Sequence, residues 1–353
     1  MKHKLGVIGY GNMGSWHCDN VRDRIDDLEV ALVYDIDKQR RELAKERGFT
    51  VCETEEEFFS SDVDLILVAT PNSFHKNHCI LAMENGKNVI SEKPPCLNLG
   101  ELYEVIDASK RTGKLYTVHH NRRFDTDYAL MREIVKSDLL GERFYLSSRL
   151  YGNRGFANAG WKSLYEAGGG LLYDWGIHMI DQILYLFEDD RPVSVNALLQ
   201  KVRMTTVDDV CRVTIGFESG MTAHFVADLW CYVPEARWHL EGKDGTAIID
   251  KWFGKEGKII RAKNQNISWH EGCVYTPNGM STSLWPRATQ DLEELKLPEL
   301  KEEPRWETFY ENVLAAIEGK EKQIVTQEQI INNMKVLMAA FESAKTGTTV
   351  AVN

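Results

Sequence analysis

Three residues in two short contexts have the functional groups needed to move a proton and steady a developing negative charge. Glu92-Lys93-Pro94 follows the apolar run Asn88-Val89-Ile90, while Asp174 and His178 lie four apart behind Gly168-Gly169-Gly170. Oxidising a secondary alcohol needs a base for the hydroxyl proton as hydride leaves the same carbon. His178 suits that base, since an unperturbed imidazole titrates at about pH 6.5. Lys93 can stabilise the alkoxide by charge and hydrogen bonding. Asp174 can bind the substrate hydroxyl or orient the histidine. If its segment is helical, the spacing puts Asp174 and His178 on one face. A solitary lysine is ordinarily a solvated surface group and a solitary histidine a structural one; the company each keeps argues for chemistry.

A hydride acceptor is implied nearer the start. Gly9-Tyr10-Gly11-Asn12-Met13-Gly14 is a GxGxxG run after the apolar stretch Leu5 to Ile8. Such glycines allow a tight turn, close approach of backbone to a pyrophosphate and close helix–strand packing. Amides at the following helix start, around Asn12 and Met13, then face the phosphates. Asp35 comes 21 residues after Gly14, near the ~20 expected for a carboxylate that holds the adenosine ribose hydroxyls. It would repel a 2′-phosphate, and Ile36 and Asp37 follow it rather than an arginine, although Lys38 is near. NAD is therefore expected in preference to NADP.

Other candidates surround these. Thr70-Pro71-Asn72 ends the run Leu65 to Val68, and His75 follows. With Glu92, they fall where open α/β sheets bind ligands, beyond the carboxyl ends of strands. Asn121, Arg122 and Arg123 stand at a domain junction, where an amide can reach nicotinamide or substrate or the segment can simply start a helix. Trp161 and Lys162 precede the glycines, where an aromatic ring can stack on a sugar or nicotinamide. Trp285 and Arg287 are weaker candidates for a pocket wall. A metal shared by His119, His120 and His178 is not expected, because the spacing fits no standard site and hydride transfer here needs none.

The elements that must position these groups show two grammars. Up to Asn121, the strand candidates Leu5–Ile8, Val30–Tyr34, Leu65–Val68, Asn88–Ile90 and Leu115–Val118 alternate with amphipathic stretches such as Lys38–Arg47 and Gly100–Arg111. That is the pattern of a doubly wound parallel sheet. Later come a helix over Thr126–Lys136, strands over Arg143–Tyr151, Val193–Val202, Val210–Phe217, Met221–Leu229 and Arg237–Gly242, and an amphipathic helix from Trp306 to Ile317. Turns at Ser219-Gly220 and Asp244-Gly245 suggest hairpins. The expected fold is α/β, with a Rossmann domain over 1–121 and an α+β domain over 122–353 built on a large, mainly antiparallel open sheet. Phe253 to Glu303 reads as irregular or inserted. The alternating strands from Val193 to Leu229 should leave one apolar sheet face uncovered, and pairing of that face would give a homodimer or homotetramer.

Composition narrows the partners. The 353 residues carry 42 basic and 53 acidic side chains, a net charge of −11, which disfavours nucleic acid. No apolar run approaches the ~20 residues that cross a bilayer, and the glycine loop opens too soon after Met1 for a secretory signal. A cytoplasmic location is expected. Seven cysteines lie singly, with no CxxC pair, reading as reduced thiols.

Taken together, these motifs resemble the Gfo/Idh/MocA family (glucose–fructose oxidoreductase, inositol dehydrogenase and MocA) over nearly the whole chain. The glycine loop, Asp64 through Pro71-Asn72 to His75, Glu92-Lys93-Pro94, and Gly168-Gly169-Gly170 through Asp174 and His178 to Asp181 fall in the family's order and spacing. The resemblance implies catalytic roles for Lys93, Asp174 and His178, and hydride transfer between NAD(P) and a secondary hydroxyl of a sugar, sugar derivative or cyclitol. Pro95-Cys96 and Trp175 depart from the usual pattern, the latter able to reshape the pocket. Some relatives retain NAD and cleave glycosidic bonds without net redox, and others are non-catalytic sugar or nucleotide sensors. Sensors have no need of the lysine and histidine, both of which are present here.

Overall fold

Leu65-Ile66-Leu67-Val68 is completely buried, as a strand must be when helices cover both faces of a parallel sheet. It is one of five strands: β1 (His3–Ile8), β2 (Leu28–Tyr34), β3 (Leu65–Val68), β4 (Asn88–Ser91) and β5 (Tyr116–Val118). All pair in parallel, in the order β2-β1-β3-β4-β5. The helices between them are α1 (Asn12–Arg24), α2 (Lys38–Glu46), α3 (Glu55–Ser60), α4 (His75–Glu84) and α5 (Leu99–Thr112). Successive connections leave β1 in opposite directions, toward β2 and then β3, so a crevice opens where the strand order reverses. These coordinates are a computed structural model describing residues 2–152, 160–263, 274–281 and 291–352.

The second sheet has nine strands. β6 (Arg143–Tyr151), β7 (Pro192–Gln200), β8 (Val210–Phe217), β9 (Thr222–Asp228), β10 (Trp238–Gly242), β11 (Gly245–Ile249) and β12 (Gly257–Ala262) are joined by β15 (Leu292–Leu295) and β16 (Val350–Ala351). A separate hairpin holds β13 (Val274–Thr276) and β14 (Gly279–Ser281). The order is β15-β12-β11-β10-β6-β9-β8-β7-β16, antiparallel except where β6 pairs β9. Helices α6 (Thr126–Lys136), α7 (Ile177–Leu186) and α9 (Gln327–Thr346) pack inside it, α9 lying on β7 and α7 on α9. α8 (Glu307–Ile317) returns to the nucleotide-binding end, where Phe309 and Tyr310 meet His119 and His17.

Two expectations need correction. The open face of this sheet is not apolar. Inward positions Cys211, Val213, Ile215, Ala223 and Phe225 are fully buried. The opposite positions form a polar row, with Thr214 beside His224, His224 beside Ser147, and Ser147 beside His239. Thr214 Oγ1 lies 3.0 Å from His224 Nδ1, and Arg212 pairs with Asp228 at 3.2 Å. Strict alternation, with threonine able to occupy strands as readily as valine, explains why these strands read as apolar. Nor is Phe253 to Glu303 wholly irregular, since β12 and β15 extend the sheet to its margin. β15 reads Leu-Glu-Glu-Leu, and acidic side chains are a common way to blunt an edge strand; they also hide it from a hydrophobicity scan. Trp285 and Arg287 fall outside the described residues.

The junction is tied by a buried ion pair. Arg123 donates to both oxygens of Asp181, at 2.6 and 2.8 Å, and to Ile324 O and Gln329 Oε1. This bidentate geometry fixes the short 3-10 turn Asn121–Phe124 against α7 and α9.

Candidate active site

The crevice beyond β1, β3 and β4 is a cleft of about 590 Å³, within the range of cofactor and ligand sites. Its two ends differ in chemistry. At one end lies the glycine loop. A Cβ at Gly9, whose φ is +93°, would sit 2.6 Å from Ala69 O, and one at Gly14 would sit 1.8 Å from Gly9 O. These two glycines are thus required by the fold itself. Gly11 is different: its added Cβ would meet nothing closer than Arg40 Nη1 at 3.9 Å. No side chain caps α1, and its first turn holds no acid. The orphan amides of Asn12 and Met13 are left for an anion, as a pyrophosphate requires.

Asp35 ends β2 and is 9% exposed. Its Oδ2 accepts from Tyr10 N at 2.6 Å and its Oδ1 from Asp37 N at 2.8 Å. Each oxygen keeps a further lone pair, so the carboxylate braces the loop while still able to accept a ribose hydroxyl. Arg40, from the first turn of α2, lines the same cleft and donates to Tyr10 O at 3.2 Å. Arg40 lies five residues beyond Asp35, outside the adjacent positions where a 2′-phosphate-binding arginine is expected, so the sequence pattern does not single it out.

At the other end, Lys93 Nζ donates to Asp174 O at 2.7 Å and to Asp174 Oδ1 at 2.8 Å. Lys162 Nζ reaches the same Oδ1 at 3.0 Å. Burial opposes ionisation of Asp174, but the charges of Lys93 and Lys162 prevail and hold its carboxyl at about 2. Asp174 lies in a π-helical turn, Leu172–Gly176, that runs directly into α7. Wide turns of this kind are rare and often mark functional sites. Glycines make room behind this one: a Cβ at Gly170 (φ +110°) would sit 2.3 Å from Asp208 Oδ1.

His178 is 5% exposed, and its Nδ1 is buried with no hydrogen-bond partner. Burial first, then the charges of Lys93 and Arg122, hold it well below the ordinary imidazole range. Trp175 packs edge-on to the His178 ring, with centroids 5.8 Å apart. The Arg122 guanidinium lies over Trp175 at 5.0 Å and Phe253 at 5.2 Å. Trp161 and Lys162 line the cleft, whereas His178, Arg122 and Trp175 lie outside its lining.

Several other candidates border the cleft but spend their polar groups inside the protein. His75 is fully buried, its ring nitrogens 2.8 Å from Pro94 O and from Thr70 O; it braces the turns that present Thr70 and Lys93. Asn72 donates to Gly168 O at 2.8 Å, and Pro71 caps the turn before it. Glu92 is turned toward His17 and His119. Asn121 opens its 3-10 turn half-buried. His119 lies with His17 and Glu92 in a buried group whose potential ligand atoms are all within 4.8 Å of one another, a group that includes neither His120, which lies 3.8 Å from Asp181, nor His178.

The chain is similar to a named oxidoreductase family and to named dehydrogenases. Residues 3–120 match the model of an oxidoreductase family with an NAD-binding Rossmann fold, and residues 128–248 match its Gfo/Idh/MocA C-terminal domain. An NAD-binding protein from Listeria innocua is 33% identical and superposes with a TM-score of 0.90 over 99% of each chain. The scyllo-inositol 2-dehydrogenase (NADP(+)) IolW of Bacillus subtilis is 27% identical, over 98% of this chain and 95% of that protein. The D-glucoside 3-dehydrogenase of Escherichia coli is 26% identical, over 98% and 97% respectively.

Gly11 separates a structural from a cofactor role. Gly11→Ala should change folding stability by less than about 1 kcal/mol, yet weaken dinucleotide binding at least about tenfold, or 1.4 kcal/mol. Denaturant unfolding and calorimetric titration on one preparation check both. Unchanged binding would remove the phosphate role from this loop.

Proposed function

The chain belongs to the Gfo/Idh/MocA family of NAD(P)-dependent oxidoreductases acting on CH–OH groups, and from this we propose that it transfers a hydride between NAD(H) and a secondary hydroxyl of a sugar, sugar derivative or cyclitol. The observation that carries the reading is the Lys93–Asp174 pair, 2.8 Å apart on the lining of the same cleft that the glycine loop lines, with the buried His178 imidazole four residues along the same helical segment. Relatives named for scyllo-inositol and for D-glucosides support a polyhydroxylated substrate.

Lys93, Asp174 and His178 divide the work. Asp174 occupies two of the three N–H donors of Lys93 and so aims the ammonium; the third meets no acceptor among the described residues and is left for the reacting oxygen. That positive charge lowers the cost of forming an alkoxide in a water-poor site. His178, kept neutral by burial and neighbouring cations, has a lone pair with which to take the hydroxyl proton. The nicotinamide, when bound, accepts the hydride. Run in reverse, His178 returns the proton to the oxygen that Lys93 holds. Trp161, on the cleft lining, offers an aromatic face against which a sugar ring can pack.

For the cofactor, Asp35 favours NAD, whose ribose hydroxyls it can bind, while Arg40 softens the repulsion of a 2′-phosphate. NAD should bind at least about tenfold more tightly than NADP, about 1.4 kcal/mol, and Asp35→Ala should narrow the gap. Equal affinities in the native protein would contradict the assignment.

The open sheet, polar though it is, is proposed as the contact between two copies, because non-obligate interfaces are no more apolar than other surface. Light scattering at micromolar concentration should give a dimer or tetramer; a monomer would refute it.

Catalysis is tested at the pair of groups. Lys93→Met and His178→Ala should each lower kcat/KM by about 10²–10⁴, with strongly non-additive losses in the double variant. NAD affinity should hold for His178→Ala. Purely structural roles would instead lower Tm and leave turnover per folded molecule intact, so both are measured together. A stable His178→Ala protein with near-native turnover would end this mechanism.

A further inference from the structure

Glu92 borders the cleft next to Lys93, yet it pairs with none of the cleft's cations. Lys93 and Lys162 both go to Asp174, and Arg122 leans toward Asp125. Among the described residues, no lysine or arginine side chain comes within ion-pair distance of the Glu92 carboxylate. Only donors surround it. Its Oε1 accepts from His17 Nε2 at 2.7 Å and from His119 Nδ1 at 2.9 Å, and its Oε2 accepts from the Lys93 backbone N–H at 3.2 Å.

The protons in this assembly are fixed by the remaining partners. The buried Tyr310 hydroxyl meets His17 Nδ1, which can accept from it only if the imidazole proton is on Nε2, facing Glu92. His119 Nε2 is buried without a partner; leaving a lone pair there unmet costs less than stranding an N–H, so its proton also faces Glu92. Each ring then donates as a neutral group. With three donors and no acceptor around it, Glu92 is satisfied only as an anion. Burial opposes that state, but the hydrogen bonds from His119 and His17, and the charge interaction with the same two rings, outweigh it and hold the carboxyl well below its ordinary range. Burial likewise keeps His17 near 4, too low to supply a compensating cation at neutral pH. His17 comes from α1, His119 from the end of β5 and Tyr310 from α8, so three other elements meet in the assembly around the anion at the end of β4.

We propose that Glu92 is the charge that sets the relative affinity of this cleft for oxidised and reduced nicotinamide. The oxidised ring is a cation and the reduced ring is neutral. A fixed anion in a low-dielectric wall stabilises the first and leaves the second nearly untouched. The Lys93–Asp174–Lys162 group carries one net positive charge at the same end, and the Glu92 anion balances it. The fold thereby keeps a cationic lysine for the alkoxide without expelling a cationic cofactor. This inference rests on nicotinamide binding in the cleft, as in the proposed function.

The test is equilibrium binding without substrate. Native protein and Glu92→Gln, which keeps the acceptor for both histidines, are titrated separately with NAD+ and NADH. The ratio Kd(NAD+)/Kd(NADH) should rise about tenfold in Glu92→Gln, with NADH affinity within about threefold of native. Equal weakening of both forms would make Glu92 a packing residue and overturn the proposal. Failure of the native protein to bind either form would instead defeat the cofactor reading beneath it. Glu92→Asp, retaining the charge, should keep the native ratio even if both affinities fall. Should Glu92→Gln not fold, carbon-13 NMR of glutamate-labelled native protein reads the charge directly, free of signals from Asp125 and Asp208. All glutamate carboxyls should be ionised at neutral pH, and a protonated one titrating with the His17 assembly would overturn the proposal.

Discussion

Lys93 and Asp174 are 81 residues apart in sequence and 2.8 Å apart in space. Much of the site depends on that contact. It joins the end of the fourth parallel strand to the π-turn that starts α7, and so brings the groups near the glycine loop to His178. An ammonium buried to 14% exposure beside a carboxylate at 15% would be expensive to leave unpaired. Once paired, it is held still. The remaining cation, Lys162, and the remaining anion, Glu92, are arranged around this pair so that charge is nearly balanced while one donor stays available.

Backbone space is the second constraint. Gly9, Gly14 and Gly170 stand where a side chain would collide with backbone or with a buried carboxylate, and each sits behind a functional surface. Gly168 does the same for Asn72: its own Cβ would come 3.0 Å from Asn72 Cβ, in the place where Asn72 Nδ2 bonds Gly168 O. The glycine loop and the triple glycine are thus two halves of one cleft, linked through Asn72 and through Lys93. His75 works at the same level, bracing both strand ends without facing the ligand.

Periodicity made most of the framework legible. Short apolar runs bounded by turns became the parallel strands, and the alternating runs became β6 to β10 with ends shifted by a residue or two. What periodicity could not give was the direction in which a motif residue turns. Glu92, Asn72 and His75 belong to the site by position, but their polar atoms point into the protein, because buried donors and acceptors must first satisfy one another. Long-range partners were equally hidden: His17, Arg40 and Tyr310 acquire their roles only when α1, α2 and α8 are brought to the cleft. α9 was legible and passed over, since Thr326 and Gln329 form a capping box at its start. The polar outer row of the large sheet was misjudged because threonine and histidine share strands with apolar neighbours on the other face.

The central claim is that a carbinol hydrogen crosses to nicotinamide at the Lys93–Asp174–His178 end of the cleft. It is tested most directly by single-turnover reaction of the native protein and NAD+ with inositols and glucosides deuterated at their carbinol carbons. The account predicts reduced nicotinamide in amounts stoichiometric with the protein for at least one polyol, with deuterium at its C4. Product formed without net reduced nicotinamide, or reduced nicotinamide free of deuterium, would contradict it.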